Sequence, residues 1–206
     1  KTKPYTMIGQ PTFHVGGKSG TPHDAASVVM HPAYDGGNKA DVAIIRLTKD
    51  VAGVTPKVLA KSPPTTGESI LLVGYGKTGP DAKDSGVKRK AHNTVGKVTS
   101  TLITYYGASG FEGNTCSGDS GGPVFAIRNG LEVQIGVHST GTCGSSHGNG
   151  MRVDAFMSWI AKQAQGDLAG NPNSDTQPPT VSFSSPQPGA KVPAVGASGL
   201  QVKVAA

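Results

Sequence analysis

Apolar and polar positions alternate in short runs along most of the chain. These runs predict strands at Tyr5–Gly9, Ala26–Met30, Val42–Leu47, Ser69–Val73, Thr94–Leu102, Gly122–Ile127 and Val133–Val137. Gly, Pro, Asn and Asp cluster between them, as tight turns require. One stretch breaks the two-residue period, Val153 to Ala164 (VDAFMSWIAKQA). There Val153, Phe156, Met157 and Ile160 fall at i, i+3, i+4 and i+7, an apolar stripe suited to docking a helix on a larger body. Asp154 near its start suits a helix N-terminus. Many short strands with one late helix predict an all-β barrel or sandwich that ends in a C-terminal helix.

The pattern lapses after Gln165. Residues 166–179 (GDLAGNPNSDTQPP) have the composition of a linker. Residues 180–206 resume the alternation with Val181 and Phe183, then Leu200, Val202 and Val204, yet are too few to bury a core of their own. Their opening, PPTVSFSSPQPGAKV, resembles the start of the Ig-like modules found behind bacterial secreted enzymes. The expected plan is a main domain over 1–165, a linker over 166–179 and the start of a β (Ig-like) domain over 180–206. Lys1 opens directly into a strand-like run with no leader before it, so the expectation is a removed leader or a chain that starts partway through a gene.

Composition narrows the function. Gly (30) and Pro (15) make up about a fifth of the 206 residues, which works against long helices. The hydrophobic share, 35%, is enough to build a core and excludes wholesale disorder. No apolar run approaches the ~20 residues that span a bilayer, so no membrane span is expected. The net charge is +6. Its densest basic stretch, Lys83 to Lys90 (KDSGVKRK), sits among Gly, Ser and Asp without the aromatic or helical partners of a nucleic-acid site. It reads as a solvated loop. No nucleic-acid partner is expected, and a basic polyanion-binding protein is the third reading of the chain. The two cysteines, Cys116 and Cys143, pair or stay free as far as their count can say.

The stretch with the most chemistry is Thr115 to Val124, TCSGDSGGPV. It sets one small nucleophile, Ser120, among Gly118, Gly121 and Gly122. Glycines let the backbone adopt unusual dihedrals and let a substrate come close. Such a turn can aim backbone N–H groups at one point, as a developing oxyanion needs. Asp119 beside the serine is costly to bury without a cation or hydrogen-bond donors. A Gly-rich surface turn between strands is the plain alternative for GDSG alone.

The longer string Cys116, Gly118, Asp119, Ser120, Gly121, Gly122, Pro123 resembles the nucleophile motif of chymotrypsin-like (trypsin-fold) serine peptidases. Other segments follow in family order. Ala40 to Leu47 (ADVAIIRL) is similar to the strand that carries the triad aspartate, and His31-Pro32-Ala33-Tyr34 to the His-Pro-x-Tyr before it. Leu72 to Gly76 resembles the Gly-Trp-Gly stretch, Gly136 to Gly141 the pocket strand, and Val153 to Ile160 the terminal helix. The likeness covers residues 3 to 165, and only GDSGGP is specific by itself.

The resemblance implies an all-β, two-barrel chymotrypsin-like fold, its first barrel incomplete, with the active site between barrels. Asp41 and Ser120 would be catalytic. Gly118 and Ser120 N–H groups would form the oxyanion hole, and Asp119 would pair with a buried N-terminal amine. Asn114, Ser139, Gly141 and Gly148 would bind substrate, and Cys116 and Cys143 would form the disulfide that braces the pocket. Asn114 stands where trypsin-like members carry the aspartate that pairs with Arg or Lys, so a neutral P1 residue of medium size, apolar or polar, is expected. Thr140 replaces the usual Trp after the pocket serine. The family's Thr-Ala-Ala-His-Cys motif is absent. Of His14, His23, His31, His92, His138 and His147, only His138 adjoins the pocket strand, so the catalytic histidine is expected upstream of Lys1.

The chain is therefore expected to derive from a secreted, bacterial, monomeric serine endopeptidase acting on polypeptides with no metal and no cofactor, inactive as this fragment. The alternative is a catalytically dead trypsin-fold binding module.

Overall fold

Turn residues and short apolar runs divide the chain into ten strands and one helix among the residues that the computed structural model describes: 12–17, 19–106, 113–141, 143 and 147–168. All lie in one unit, Lys1–Ala169. The expected strand at Tyr5–Gly9 and the segment 180–206 fall outside the described residues.

Three strands form the first sheet, β1 (Thr12–Val15), β2 (Thr21–Met30) and β3 (Ala43–Leu47), in the order β1-β2-β3. Both pairings are antiparallel, with Phe13 opposite His23 and Val29 opposite Ile44. Phe13, Val29, Met30 and Ile45 on this sheet are exposed.

The second sheet closes on itself. It contains β5 (Ser69–Gly74), β6 (Arg89–Val98), β7 (Leu102–Tyr106), β8 (Pro123–Arg128), β9 (Leu131–Gly141) and β10 (His147–Arg152). The order β10-β7-β6-β5-β8-β9 is completed by β10 pairing with β9, which makes a six-stranded antiparallel barrel without free edges. The two-residue β4 (Val58–Leu59) adds a parallel pairing to β9. Inward positions of the barrel carry Ile70, Leu72, Val95, Ile103, Tyr105, Val124, Ala126 and Ile135, all buried. The architecture is all-β, as the alternation predicts.

The structure corrects one predicted strand. Thr94–Leu102 is the end of β6 and the start of β7, joined at residues 99–101. The turn lacks Gly and Pro. It is held by the Thr99 hydroxyl, which accepts the Leu102 N–H at 3.0 Å, and by the Thr99 N–H, which donates to the Leu102 carbonyl at 2.8 Å.

The predicted helix begins as a 3-10 turn, Asp154–Phe156, and continues as α1 (Met157–Ala164). It ends at Gln165 in the left-handed conformation (φ 53°), whose N–H donates to the Ala161 carbonyl. Phe156 packs with Met151 and Ala40, joined by Val42, Leu102 and Ile160, in a small core that joins helix, barrel and the approach to β3. The His31 ring stands edge-on to Phe156 (5.2 Å) and to Trp159 (4.9 Å). Arg46 of β3 donates to the Gln163 carbonyl at 2.9 Å. Arg152 donates to the Thr99 carbonyl and pairs with Asp154 at 2.6 Å, both side chains nearly buried.

Candidate active site

Ser120 lies exposed in the turn between Thr115 and β8. The turn is fixed from inside. Asp119 N–H donates to the Cys116 carbonyl (3.0 Å) and Gly122 N–H to the Asp119 carbonyl (2.9 Å). Gly118 (φ 100°) and Gly121 (φ 81°) occupy the left-handed region that L-residues with a Cβ disfavour. The turn is also tied to β9: Gly121 N–H donates to the His138 carbonyl and His138 N–H to the Gly122 carbonyl, each at 2.8 Å.

The carboxylate of Asp119 points back beneath the turn. Its Oδ1 accepts the Gly76 N–H at 2.7 Å and its Oδ2 the Cys116 N–H at 2.9 Å. Two charge-assisted bonds compensate for taking this group partly out of water. The seat requires glycines. A Cβ at Gly74 would fall 1.9 Å from Asp119 Oδ1, and one at Gly76 would fall 2.6 Å from its Cγ. The Gly74-Tyr75-Gly76 spacing, seen in the sequence only as a family likeness, thus acquires a steric cause.

Asp41 sits two residues before β3, half-buried, where its Oδ2 accepts the Ser139 hydroxyl at 2.7 Å. This bond crosses from the first sheet's approach to the barrel. Ser139 follows His138, whose carbonyl binds the Gly121 amide beside Ser120. A short hydrogen-bonded path therefore connects the two predicted catalytic residues. A cavity of about 270 Å³ borders Asp41, lined also by Met30, Tyr34, Val42 and Ala43.

Cys116 and Cys143 form a disulfide, which ties the turn to the segment after β9. Gly141 and Gly148 face one another in the β9–β10 register. Beneath them lies a polar group of side chains. A Cβ at Gly148 would fall 2.4 Å from the Tyr105 ring, 2.9 Å from Asn114 Oδ1 and 3.1 Å from Thr115 Oγ1. The Tyr105 hydroxyl bonds to His138 Nδ1, and Thr115 Oγ1 lies 3.4 Å from the same nitrogen. Asn114 Oδ1 accepts the Thr115 N–H at 2.8 Å. Burial pushes the Tyr105 phenol well above its ordinary range, assisted by the Asp119 charge. Burial also lowers the His138 pKa, against the opposing effects of Asp119 and a bond to the Asn149 backbone.

A trypsin family model matches residues 2–160. The chain belongs to the trypsin family. It is 31% identical over 157 residues to serine protease 1 of Homo sapiens, covering 66% of this chain and 61% of that one. It is 34% identical over 154 residues to CLIP domain-containing serine protease B10 of Anopheles gambiae, covering 64% and 42%. Chymotrypsin-like elastase family member 1 of Bos taurus is 28% identical over 165 residues, covering 65% and 59%. The chain spans about half the length of the curated relatives it matches.

Within this trypsin-family chain, the predicted residues Asp41, Asn114, Cys116, Gly118, Asp119, Ser120, Ser139, Gly141, Cys143 and Gly148 gather around one turn and one strand pair. His31 has a structural part: its Nδ1 accepts the Ala33 N–H and its ring packs on the helix. His138, on β9 itself, is engaged with Tyr105 and Thr115, while Asp41 is engaged with Ser139. Sequence reasoning missed Tyr105 and Thr115 as neighbours of Gly148 and His138. Thr115 precedes the cysteine of the nucleophile motif, and that adjacency was the available signal.

Proposed function

We propose that the chain belongs to a secreted, monomeric serine endopeptidase that cleaves polypeptides through an acyl-enzyme on Ser120. The hydrogen-bonded path Asp41–Ser139–His138–Gly121–Ser120 is the observation that carries this reading. A surface turn without a catalytic past has no need for a carboxylate tied across two sheets to the strand that holds its serine.

In the proposed reaction Ser120 Oγ attacks the scissile carbonyl carbon as an imidazole takes its proton. The tetrahedral oxyanion accepts N–H groups of Gly118 and Ser120. The imidazole returns the proton to the departing amine, and water then repeats the sequence on the acyl-enzyme. Asp41 holds the imidazole and stabilises its charged form. We assign the imidazole to a segment before Lys1. The cavity beside Asp41 and the exposed apolar residues Phe13, Val29, Met30 and Ile45 of the first sheet support it, since further strands would cover them. Asp119 is assigned the buried N-terminal amine of the activated enzyme, with Asn114, Gly141 and Gly148 as the P1 pocket.

Covalent labelling of Ser120 by a fluorophosphonate tests the reading. Labelling should be rapid in a chain extended upstream, negligible in residues 1–206, and lost on Ser120→Ala. An extended chain that stays unlabelled would instead make the protein a catalytically dead binding module.

A further inference from the structure

Four side chains converge below Gly141 and Gly148: Tyr105 from β7, Asn114 and Thr115 from the segment before Cys116, and His138 from β9. The peptidase reading uses only Asn114, as part of the P1 pocket, and the backbone of His138; it gives no part to the other side chains. Their hydrogen-bond directions are unevenly matched. Asn114 Oδ1 is already taken, by the Thr115 N–H at 2.8 Å with Thr115 Oγ1 at 3.4 Å. Asn114 Nδ2 is buried and has no hydrogen-bond partner among the described residues. The His138 ring reaches the same space, since its Cε1 lies 3.6 Å from where a Cβ of Gly141 would stand.

We propose that this pocket accepts an acidic P1 side chain, so that the enzyme cleaves after glutamate or aspartate. The proposal rests on the peptidase reading and refines it. A buried amide donor left unpaired is destabilising by about 1–3 kcal/mol. An apolar P1 side chain leaves Asn114 Nδ2 in that condition. A P1 amide or ammonium group brings donors of its own to a floor whose Asn oxygen is occupied. A carboxylate brings only acceptors, which Asn114 Nδ2–H can satisfy, joined by the Thr115 hydroxyl once its one proton turns away from the long 3.4 Å contact with Asn114 Oδ1.

His138 supplies the charge. With no ligand beside it, burial lowers its pKa and so disfavours the imidazolium. A carboxylate arriving beside it favours the imidazolium, so binding takes up a proton. The other groups facing the ring are the Tyr105 phenol, kept protonated by its burial, and Asp119, whose carboxylate is engaged by the amides of Gly76 and Cys116. Acidic P1 binding therefore weakens as pH rises above the range in which the complexed imidazole keeps its proton.

Product peptides test this without needing turnover. N-acetyl tetrapeptides ending in Glu, Asp, Gln, Leu or Lys are titrated calorimetrically into the full-length protein at pH 6 and pH 8. At pH 6 the Glu or Asp peptide should bind at least about tenfold tighter than the Gln, Leu and Lys peptides. That advantage should shrink severalfold at pH 8. Asn114→Leu and Thr115→Val should each reduce the preference, and His138→Gln should flatten its pH dependence. Recovery of the Cys116–Cys143 disulfide by peptide mapping checks that each variant has folded. If one has not, the wild-type peptide series at two pH values decides. Equal or tighter binding of Gln, Leu or Lys, no binding by any peptide, or a pH-independent preference overturns the proposal. An acidic preference in a protein whose Ser120 takes no fluorophosphonate would sink the peptidase reading alone. Brisk labelling with no acidic preference would sink the proposal alone.

Discussion

Replacing Gly74 by alanine should unseat the nucleophile turn. Neither Gly74 nor Gly76 needs a left-handed backbone, so the substitution introduces no conformational strain. Its effect is purely steric, because the new methyl would stand 1.9 Å from Asp119 Oδ1. The carboxylate has to leave its seat and loses the N–H groups of Gly76 and Cys116. Hydrogen bonds to charged groups contribute about 1.5–3 kcal/mol each. Even with the freed carboxylate rehydrated, a loss of about 3 kcal/mol is expected. For a domain of this size that lowers Tm by about 6–12 °C. Gly79→Ala is the control, since nothing lies within 4 Å of its added methyl. Calorimetry should show the control within a degree or two of the parent. The decisive measurement is a double-mutant cycle with Asp119→Ala. If the clash is with the carboxylate, Gly74→Ala should do much less harm once Asp119 is gone, a coupling of at least about 1 kcal/mol. Strictly additive losses, or a Gly74→Ala protein as stable as the parent, would refute the steric account.

Three further outcomes are expected. Reducing the Cys116–Cys143 disulfide, whose ends lie 27 apart in sequence, should destabilise the fold by about 3.6 kcal/mol on the chain-entropy model, read by denaturant unfolding with and without reductant. Because burial lowers the His138 pKa in the folded state, the unfolded chain binds more protons between that lowered value and the ordinary one of about 6.5. Stability should thus rise with pH through that window, with the His138 contribution flat below and above it, and His138→Gln should remove that part of the slope in pH-dependent melts. Arg152→Met should cost about 3–5 kcal/mol by leaving Asp154 buried and unpaired, and Arg152→Met with Asp154→Leu should recover much of it, as measured by urea titration.

The legibility of the fold in the sequence differs between elements for physical reasons. β5 and β8 carry continuous apolar runs that bury against the barrel interior, so hydrophobic pattern alone locates them. β10 (HGNGMR) has no strand propensity in its first four residues, and no local rule finds it. It is a strand because β7 and β9 supply hydrogen bonds on either side, and because Gly148 and Gly150 allow close approach. Thr94–Leu102 reads as one strand because its turn is made by a threonine hydroxyl, where Gly or Pro would have announced it. The site follows the same division. Ser120, Asp119 and their glycines are contiguous and legible. Asp41 and Ser139 are each legible through family likeness, but their mutual bond spans 98 positions of chain. The cluster of Tyr105, Thr115 and His138 is assembled by barrel closure from three separate segments, and its members look unexceptional in sequence.

The terminal helix has a consequence for how the protein tolerates damage. His31 against Phe156 and Trp159, together with Arg46 on the Gln163 carbonyl, makes α1 a hasp that fastens the first sheet to the barrel. A nick just after Arg152 would leave the disulfide, the Ser120 turn and all six barrel strands covalently whole. It would still release the sheet that carries Asp41, and the serine would lose its distant carboxylate through a cut more than thirty residues downstream. Proteolytic wear at this end of the domain is therefore expected to unseat Asp41 before it dismantles the barrel.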